Sequence, residues 1–228
     1  MYRYKVDRNE IEYILKKQVE SLWGRVKFRL IKETIPSALE RMYMTLSDLA
    51  LTRCNNGREV IFSPYDTVSW SVFLYYLANS LYKKKYIREA EVVYYLNKVM
   101  HSVDWYYGIE LPPHFWAEHP QGSVLGKACY GDYFFCFHGT TVGANYKKDG
   151  TPVYPVLGKN VFMCANTMVL GKSTIGDNVI ISANTYIKDR DIPNNSIVYG
   201  NKDGEITIKP VSEREIKNRT SGFWHWDL

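Results

Sequence analysis

From Leu157 to Ile192 the chain repeats in sixes, reading L-G-K-N-V-F, M-C-A-N-T-M, V-L-G-K-S-T, I-G-D-N-V-I, I-S-A-N-T-Y and I-K-D-R-D-I. The first slot is always aliphatic: Leu157, Met163, Val169, Ile175, Ile181, Ile187. The fifth slot of the first five hexads holds Val161, Thr167, Ser173, Val179 and Thr185, all small or β-branched. A helix returns to one face about every 3.6 residues and a strand about every two, so neither explains this spacing. Short strands separated by tight turns do: each coil of a parallel β-helix buries both slots against the coils above and below.

The 228 residues, 46% of them hydrophobic, can bury a core in one domain or two small ones. The N-terminal Met-Tyr-Arg-Tyr-Lys is not the start of a long apolar segment, so a cytoplasmic protein with no integral membrane segment is expected. The net charge of +5 comes from dispersed lysines and suits a phosphate-bearing small ligand at least as well as nucleic acid, so no nucleic-acid partner is expected. Four cysteines (Cys54, Cys129, Cys136, Cys164) lack CxxC spacing and read as reduced thiols. A zinc site from Cys136, His138 and Cys164 would have ligand spacings unlike those of known zinc sites, and no metal is expected.

Ahead of the repeat the pattern is helical. Asp7 and Glu10 stand in capping-box spacing before Ile11, Ile14, Leu15, Val19 and Leu22, and Trp23-Gly24 ends that segment. A second amphipathic stretch runs from 31 to 51, and Asn55-Asn56-Gly57 is a turn. Ser63-Pro64 reads as the start of a third helix carrying Trp70, Phe73, Leu74, Leu77 and Leu81, with Lys83-Lys84-Lys85 at its C-terminal end. A fourth follows over 87–100. The expected division is a helical domain over 1–103, a β-helix over 104–200 and a tail over 201–228.

Between Val103 and Gly143 the hexads are imperfect, and within 145–156 about ten residues interrupt them and must loop out, a common location for function. That loop holds Lys147, Lys148, Asp149, Gly150 and Pro152-Val153-Tyr154-Pro155. After Ile192, Pro193-Asn194-Asn195 and Asn201-Lys202-Asp203-Gly204 are turns, and 206–208 is a short terminal strand. The aromatic end, Phe223-Trp224-His225-Trp226, suits docking on a neighbouring subunit or lying at a membrane surface, and docking is the expected case because no basic amphipathic helix accompanies it.

The repeat, the preceding helices, Ala117-Glu118-His119-Pro120, His138-Gly139-Thr140-Thr141-Val142-Gly143 and the loop before Leu157 together resemble the serine acetyltransferase branch of the hexapeptide-repeat acyltransferases. The resemblance implies a protein that is mainly β with an α-helical N-terminal domain, built on a left-handed parallel β-helix of about three hexads per coil. It also implies a homotrimer and acetyl-CoA as donor. The family's general base is a histidine in a D-H-x-x-G turn, matched by His119 in Glu118-His119-Pro120-Gln121-Gly122, and its orienting aspartate is matched by Asp104 after Val103. A neutral imidazole there takes the proton of an acceptor hydroxyl as it attacks the thioester. His138 and Glu118 match the wall of the same site. Gly143, Ala144, Ala165 and Ala183 match small positions along the pantetheine groove between subunits. Lys188, Arg190 and Lys202 are candidate partners of the CoA phosphates.

One departure bears on the acceptor. Where the family has an arginine and a histidine before the proline, this chain has Val153-Tyr154-Pro155. Valine cannot hold an amino acid's carboxylate in a bidentate pair. Tyr154 offers a ring face and one hydroxyl to a sugar. The sequence therefore points to O-acetylation of a sugar or cell-surface polysaccharide intermediate. Serine is the alternative acceptor, and a non-catalytic scaffold a further one.

Overall fold

The computed structural model describes residues 3–24, 26–200 and 205–226. The turn at 201–204, with Lys202, lies outside the described residues. The chain divides into two compact units, Met1–Gly108 and Ile109–Leu228.

The first unit is helical. Helix α1 (Arg8–Trp23) starts where expected because Asp7 accepts hydrogen bonds from the amides of Asn9 and Glu10. Ile11, Leu15 and Val19 are buried, whereas Leu22, expected on the same face, is exposed. The stretch expected as one helix over 31–51 is two, α2 (Phe28–Lys32) and α3 (Ile35–Asp48). Pro36 explains the break: it lacks an N–H, its ring clashes with the carbonyl four residues back, and it is tolerated only in a first turn. Helix α4 (Thr67–Lys83) begins after Ser63-Pro64, at the Asp66 cap, and every residue from Val68 to Leu81 is buried. Helix α5 (Ile87–His101) ends on Ser102 at φ 56°. A short parallel pair, Arg3–Lys5 with Glu59–Ile61, was not legible from the pattern.

His101 is buried, with Nδ1 2.8 Å from the Asn97 side-chain oxygen, and burial pushes its pKa down to about 4. The unfolded chain therefore binds more protons than the folded one between roughly pH 6.5 and 4. Stability from neutral His101 is present above that window and lost as pH falls through it, by on the order of 1.4 kcal/mol per unit at most. Urea titrations at pH 7 and pH 4.5 are expected to show this loss in the wild type and a flatter profile in His101→Gln.

The second unit is the solenoid, a stack of three parallel sheets. The first sheet holds Cys129–Tyr130, Val156–Leu157, Thr174–Ile175 and Asp191–Ile192. The second holds Phe115–Ala117, Phe134–Cys136, Val161–Met163, Val179–Ile181 and Ser196–Gly200. The third holds Val124–Leu125, Thr141–Gly143, Met168–Leu170 and Tyr186–Lys188. Val161 pairs with Val179 and Val169 with Ile187, eighteen residues on in each case, so one coil is three hexads. All eleven first-slot and fifth-slot residues are buried. Phe135 pairs with Phe162 and Val142 with Val169, twenty-seven residues on, so the coil between them carries nine extra residues. The excess forms the predicted loop, an antiparallel hairpin pairing Asn145–Tyr146 with Pro152–Val153.

The turns have a chemistry of their own. Asn160, Asn166, Asn178, Asn184 and Asn195 all have φ between 52° and 60°. Asparagine tolerates this left-handed region better than most residues. Stacked turns are joined by side-chain amides, Asn160 donating to Asn178 and Asn178 to Asn195, each at 3.0 Å. Asn178→Val adds backbone strain and removes two ladder bonds, and is expected to cost about 2–4 kcal/mol in urea unfolding. Asn178→Gly, which keeps the φ, is expected to cost less.

The second sheet is buried on both faces. Its last parallel strand pairs antiparallel with Ile206–Pro210, and helix α6 (Glu213–Thr220) follows, burying Ile216. The aromatic end then folds onto the outer face of this sheet. Phe223 lies 4.7 Å from Phe135 and 5.2 Å from Phe162 between ring centroids, and Trp224 is fully buried against Phe135 and Tyr133. The expectation that these aromatics serve a neighbouring subunit is thereby corrected, because outward-facing Phe135 and Phe162 need cover within their own chain. The segment set apart in the sequence as a tail belongs, over 205–226, to this unit.

Candidate active site

Two rows of turns flank the third sheet, and the expected site residues divide between them. The first row lies at the corner between the second and third sheets and contains, coil by coil, Glu118-His119, His138-Gly139, Ala165-Asn166 and Ala183-Asn184. Backbone hydrogen bonds join the levels: Gly139 N–H donates to Gln121, Asn166 N–H to His138 and Asn184 N–H to Ala165. Gly139 sits at φ 64°, and a Cβ there would fall 2.2 Å from the Asn166 side-chain oxygen, so a side chain at this turn would displace the Asn166 amide.

His119 is itself in the left-handed region, at φ 49°, and its side chain is 72% exposed. A histidine in that conformation is strained, and strain of this kind clusters at functional positions. Glu118, expected to face a substrate, is buried, and its Oε2 accepts the Trp116 indole N–H at 2.9 Å. A buried indole needs an acceptor, and Glu118 supplies it. The other carboxylate oxygen stands 4.0 Å from His119 Nε2, so this residue ties an interior tryptophan to the exposed imidazole. Glu118→Ala leaves the buried indole unpaired and is expected to cost about 1–3 kcal/mol, read by chemical denaturation.

Asp104 lies in the first unit. Its Oδ1 accepts the Tyr94 hydroxyl and its Oδ2 the Lys98 ammonium. Burial pushes this carboxyl up, but the Lys98 and Tyr94 hydrogen bonds outweigh it and hold the group below the usual carboxylate range.

The second row lies at the far edge of the third sheet. Gly143, Leu170 and Lys188 are in register there, and Ala144 follows Gly143 into the hairpin. Strands of three residues separate the rows by roughly 10 Å. Between them Val124, Met168 and Tyr186 stand exposed in one column, with Thr141 at its second level. Within one chain the small positions Ala165 and Ala183 thus share the row of His119, whereas Gly143, Ala144 and Lys188 do not.

Tyr154 is half-buried between the hairpin and the first sheet, and the Lys127 ammonium lies 4.8 Å from its ring centroid. One face of the ring expected to meet a sugar is therefore covered. Beside the hairpin is a cleft of about 230 Å³ lined by Asn145, Tyr146, Lys147, Val153, Lys172 and Asp189. Asp189 braces it, accepting the Lys172 backbone N–H at 2.7 Å and the Asn145 amide at 2.9 Å. The Lys172 N–H, then Asn145 and Lys188, hold its carboxyl below the usual range. Sequence reasoning singled out Lys188 and Arg190 but missed this aspartate; the available signal was an acid in the third slot of its hexad, where the coil before it carries Gly171.

Burial pushes the Cys136 and Cys164 thiols up, which disfavours the thiolates a metal would need. Among the described residues no three His, Cys, Asp or Glu side chains are grouped to hold a metal ion, and no helix is long and apolar enough to cross a membrane.

Residues 154–189 match the bacterial transferase hexapeptide family of six repeats. A serine acetyltransferase of Helicobacter pylori is 30% identical over 138 residues, covering 60% of this chain and 80% of that one. The chain belongs to the serine acetyltransferase family of hexapeptide-repeat acyltransferases. The serine acetyltransferase of Staphylococcus xylosus is also 30% identical, over 57% of this chain and 60% of its own length. That of Synechococcus elongatus is 31% identical over 54% of this chain and half of its own. The chain thus spans only part of some family members. Among solved structures, a serine acetyltransferase in complex with cysteine superposes with a TM-score of 0.70 at 19% identity, covering 90% of this chain and 85% of that one. The Neisseria gonorrhoeae serine acetyltransferase gives 0.66 at 21%, covering 86% and 76%. These likenesses show the fold, a parallel β-solenoid behind a helical N-terminal region. The relatives' names do not support the surface-polysaccharide branch.

Proposed function

We propose that the chain is an acetyl-CoA-dependent O-acetyltransferase in which an acceptor hydroxyl attacks the thioester carbonyl directly. The observation that carries this reading is the exposed, strained His119 on the row of small turns through Ala165 and Ala183, in a chain whose relatives are serine acetyltransferases. His119 takes the hydroxyl proton as the new ester bond forms, and the imidazolium returns it to the departing CoA sulfur. Asp104 is the proposed positioning carboxylate. It is held ionised, and a carboxylate has about four lone-pair sites, of which Tyr94 and Lys98 use two. Backbone N–H groups at Gly143 or Ala144 are the proposed oxyanion donors.

The second row lies across the third sheet from His119, so a homotrimer is part of the proposal. Packing the far edge of one subunit against the near edge of the next would form a groove with Ala165 and Ala183 on one wall and Gly143, Ala144 and Lys188 on the other. The exposed column Val124, Met168 and Tyr186 would then be covered.

L-serine is the leading acceptor, since the relatives are named for it. A sugar hydroxyl is the second reading, favoured by Val153 and Tyr154 in place of a carboxylate-binding arginine. Free-thiol release from acetyl-CoA decides between them when L-serine at millimolar concentration is run beside sugars and nucleotide sugars. Release with serine supports the first reading and release with sugars alone the second; no release with any hydroxyl acceptor removes the activity.

A further inference from the structure

Val153 cannot hold an anion where the family has an arginine, but the same corner of the coil presents a cation held in position. Val156 pairs with Cys129 and Leu157 with Tyr130, and this register carried back two residues sets Tyr154 opposite Lys127. The Lys127 ammonium lies 4.8 Å from the centroid of the Tyr154 ring and has no carboxylate partner among the described residues. The ring takes one side of the ammonium and leaves N–H donors for an anion. The turn itself is braced, with the Gly126 N–H donating to Val142 and the Tyr130 hydroxyl to the Gly126 carbonyl, both at 2.8 Å. Asp189, three levels along the same row, is taken up by the Lys172 N–H and the Asn145 amide.

Lys127 also stands at the level of His119. The His119 turn leads into the strand Val124–Leu125 and the Lys127 turn leads out of it, so the two flank one strand of the third sheet from opposite corners. When the far edge of one subunit packs against the near edge of the next, as in the proposed homotrimer, Lys127 of one comes beside His119 of the other. A cation there suits an anionic group close to the hydroxyl that His119 deprotonates. One ammonium balances the single charge of a carboxylate, whereas a phosphate monoester carries nearly two. We infer that Lys127, supplied from the neighbouring subunit, binds a carboxylate carried by the acceptor. The substrate class is then hydroxyl compounds with a carboxylate, either an amino acid such as L-serine or a uronic acid, and not neutral sugars. The inference rests on the trimer and on the His119 chemistry of the proposed function.

Thiol release from acetyl-CoA with L-serine and D-glucuronate, beside the carboxylate-free L-serinamide and D-glucose, tests it. One of the two acids is expected to exceed its neutral counterpart at least roughly tenfold in kcat/KM, the worth of one charge-assisted hydrogen bond. Which acid reacts distinguishes the amino-acid source of the carboxylate from the sugar source. Lys127→Met, of similar length and at an exposed position, is expected to lose that preference through a raised KM for the acid, with folding checked by thermal melting. Lys127→Arg is expected to keep it. A lysine with only a structural role would lower both members of the pair together. Mixed trimers of Lys127→Met and His119→Ala chains are expected to regain the preference, because one site in each joins an intact Lys127 to an intact His119. A folded Lys127→Met variant with the wild-type preference, a wild type that uses only the neutral acceptors, or mixed trimers without recovery would each overturn the inference and leave the acetyl-transfer reading standing. No thiol release with any acceptor would overturn both.

Discussion

Replacing His119 with alanine is expected to lower kcat for acetyl transfer by about a hundred- to ten-thousand-fold, the usual contribution of a general base. The KM for acetyl-CoA is expected to stay near the wild-type value, because the imidazole acts on the acceptor proton. Stability adds a second, opposite signature. His119 is held at φ 49°, where a side chain is strained and glycine is not. His119→Gly is therefore expected to be inactive yet more stable than His119→Ala by roughly 1 kcal/mol. A histidine kept at this turn for packing would not behave in this way, since its ring is largely in solvent. Thiol release and urea unfolding of the two variants together check the assignment.

The second large effect concerns Trp224. Its side chain is fully buried over the outer face of the second sheet, where Phe135, Phe162 and Phe223 meet. Trp224→Ala leaves a cavity there and is expected to destabilise the chain by about 3–5 kcal/mol. The fall in denaturation midpoint relative to the wild type is expected to be the same at every protein concentration. A tail that docked on another subunit would instead make the loss concentration-dependent.

The solenoid was legible because its core is written twice per hexad. Leu157, Val161 and their successors repeat at fixed offsets, and a buried slot tolerates few residue types. The loop was legible for the converse reason, as a gap in that period. Helix boundaries were harder: Pro36 splits an amphipathic stretch whose hydrophobic pattern runs on, and Asp66 rather than Ser63 caps α4. The docking of Phe223 and Trp224 had no local signal at all, since it depends on Phe135 and Phe162 facing outward at a sheet distant in sequence.

How the candidate site residues divide between two corners of the coil was not legible in the sequence. His119, Ala165 and Ala183 fall on one corner, and Gly143 and Lys188 on the next, because a coil of three sheets separates positions that look equivalent in a linear repeat. Glu118 shows the same limit. Its place beside His119 suggested a substrate contact, while the need of Trp116 for an acceptor, visible only in three dimensions, decides where its carboxylate goes.

In the proposed reaction acetyl-CoA reaches His119 along the corner row through Ala165 and Ala183. A crystal structure of the chain with CoA bound tests it most directly. Pantetheine is expected to extend along Ala165 and Ala183 with its sulfur beside His119, and Gly143, Ala144 and Lys188 to come from a neighbouring subunit. CoA bound away from His119 and Ala165 would contradict it.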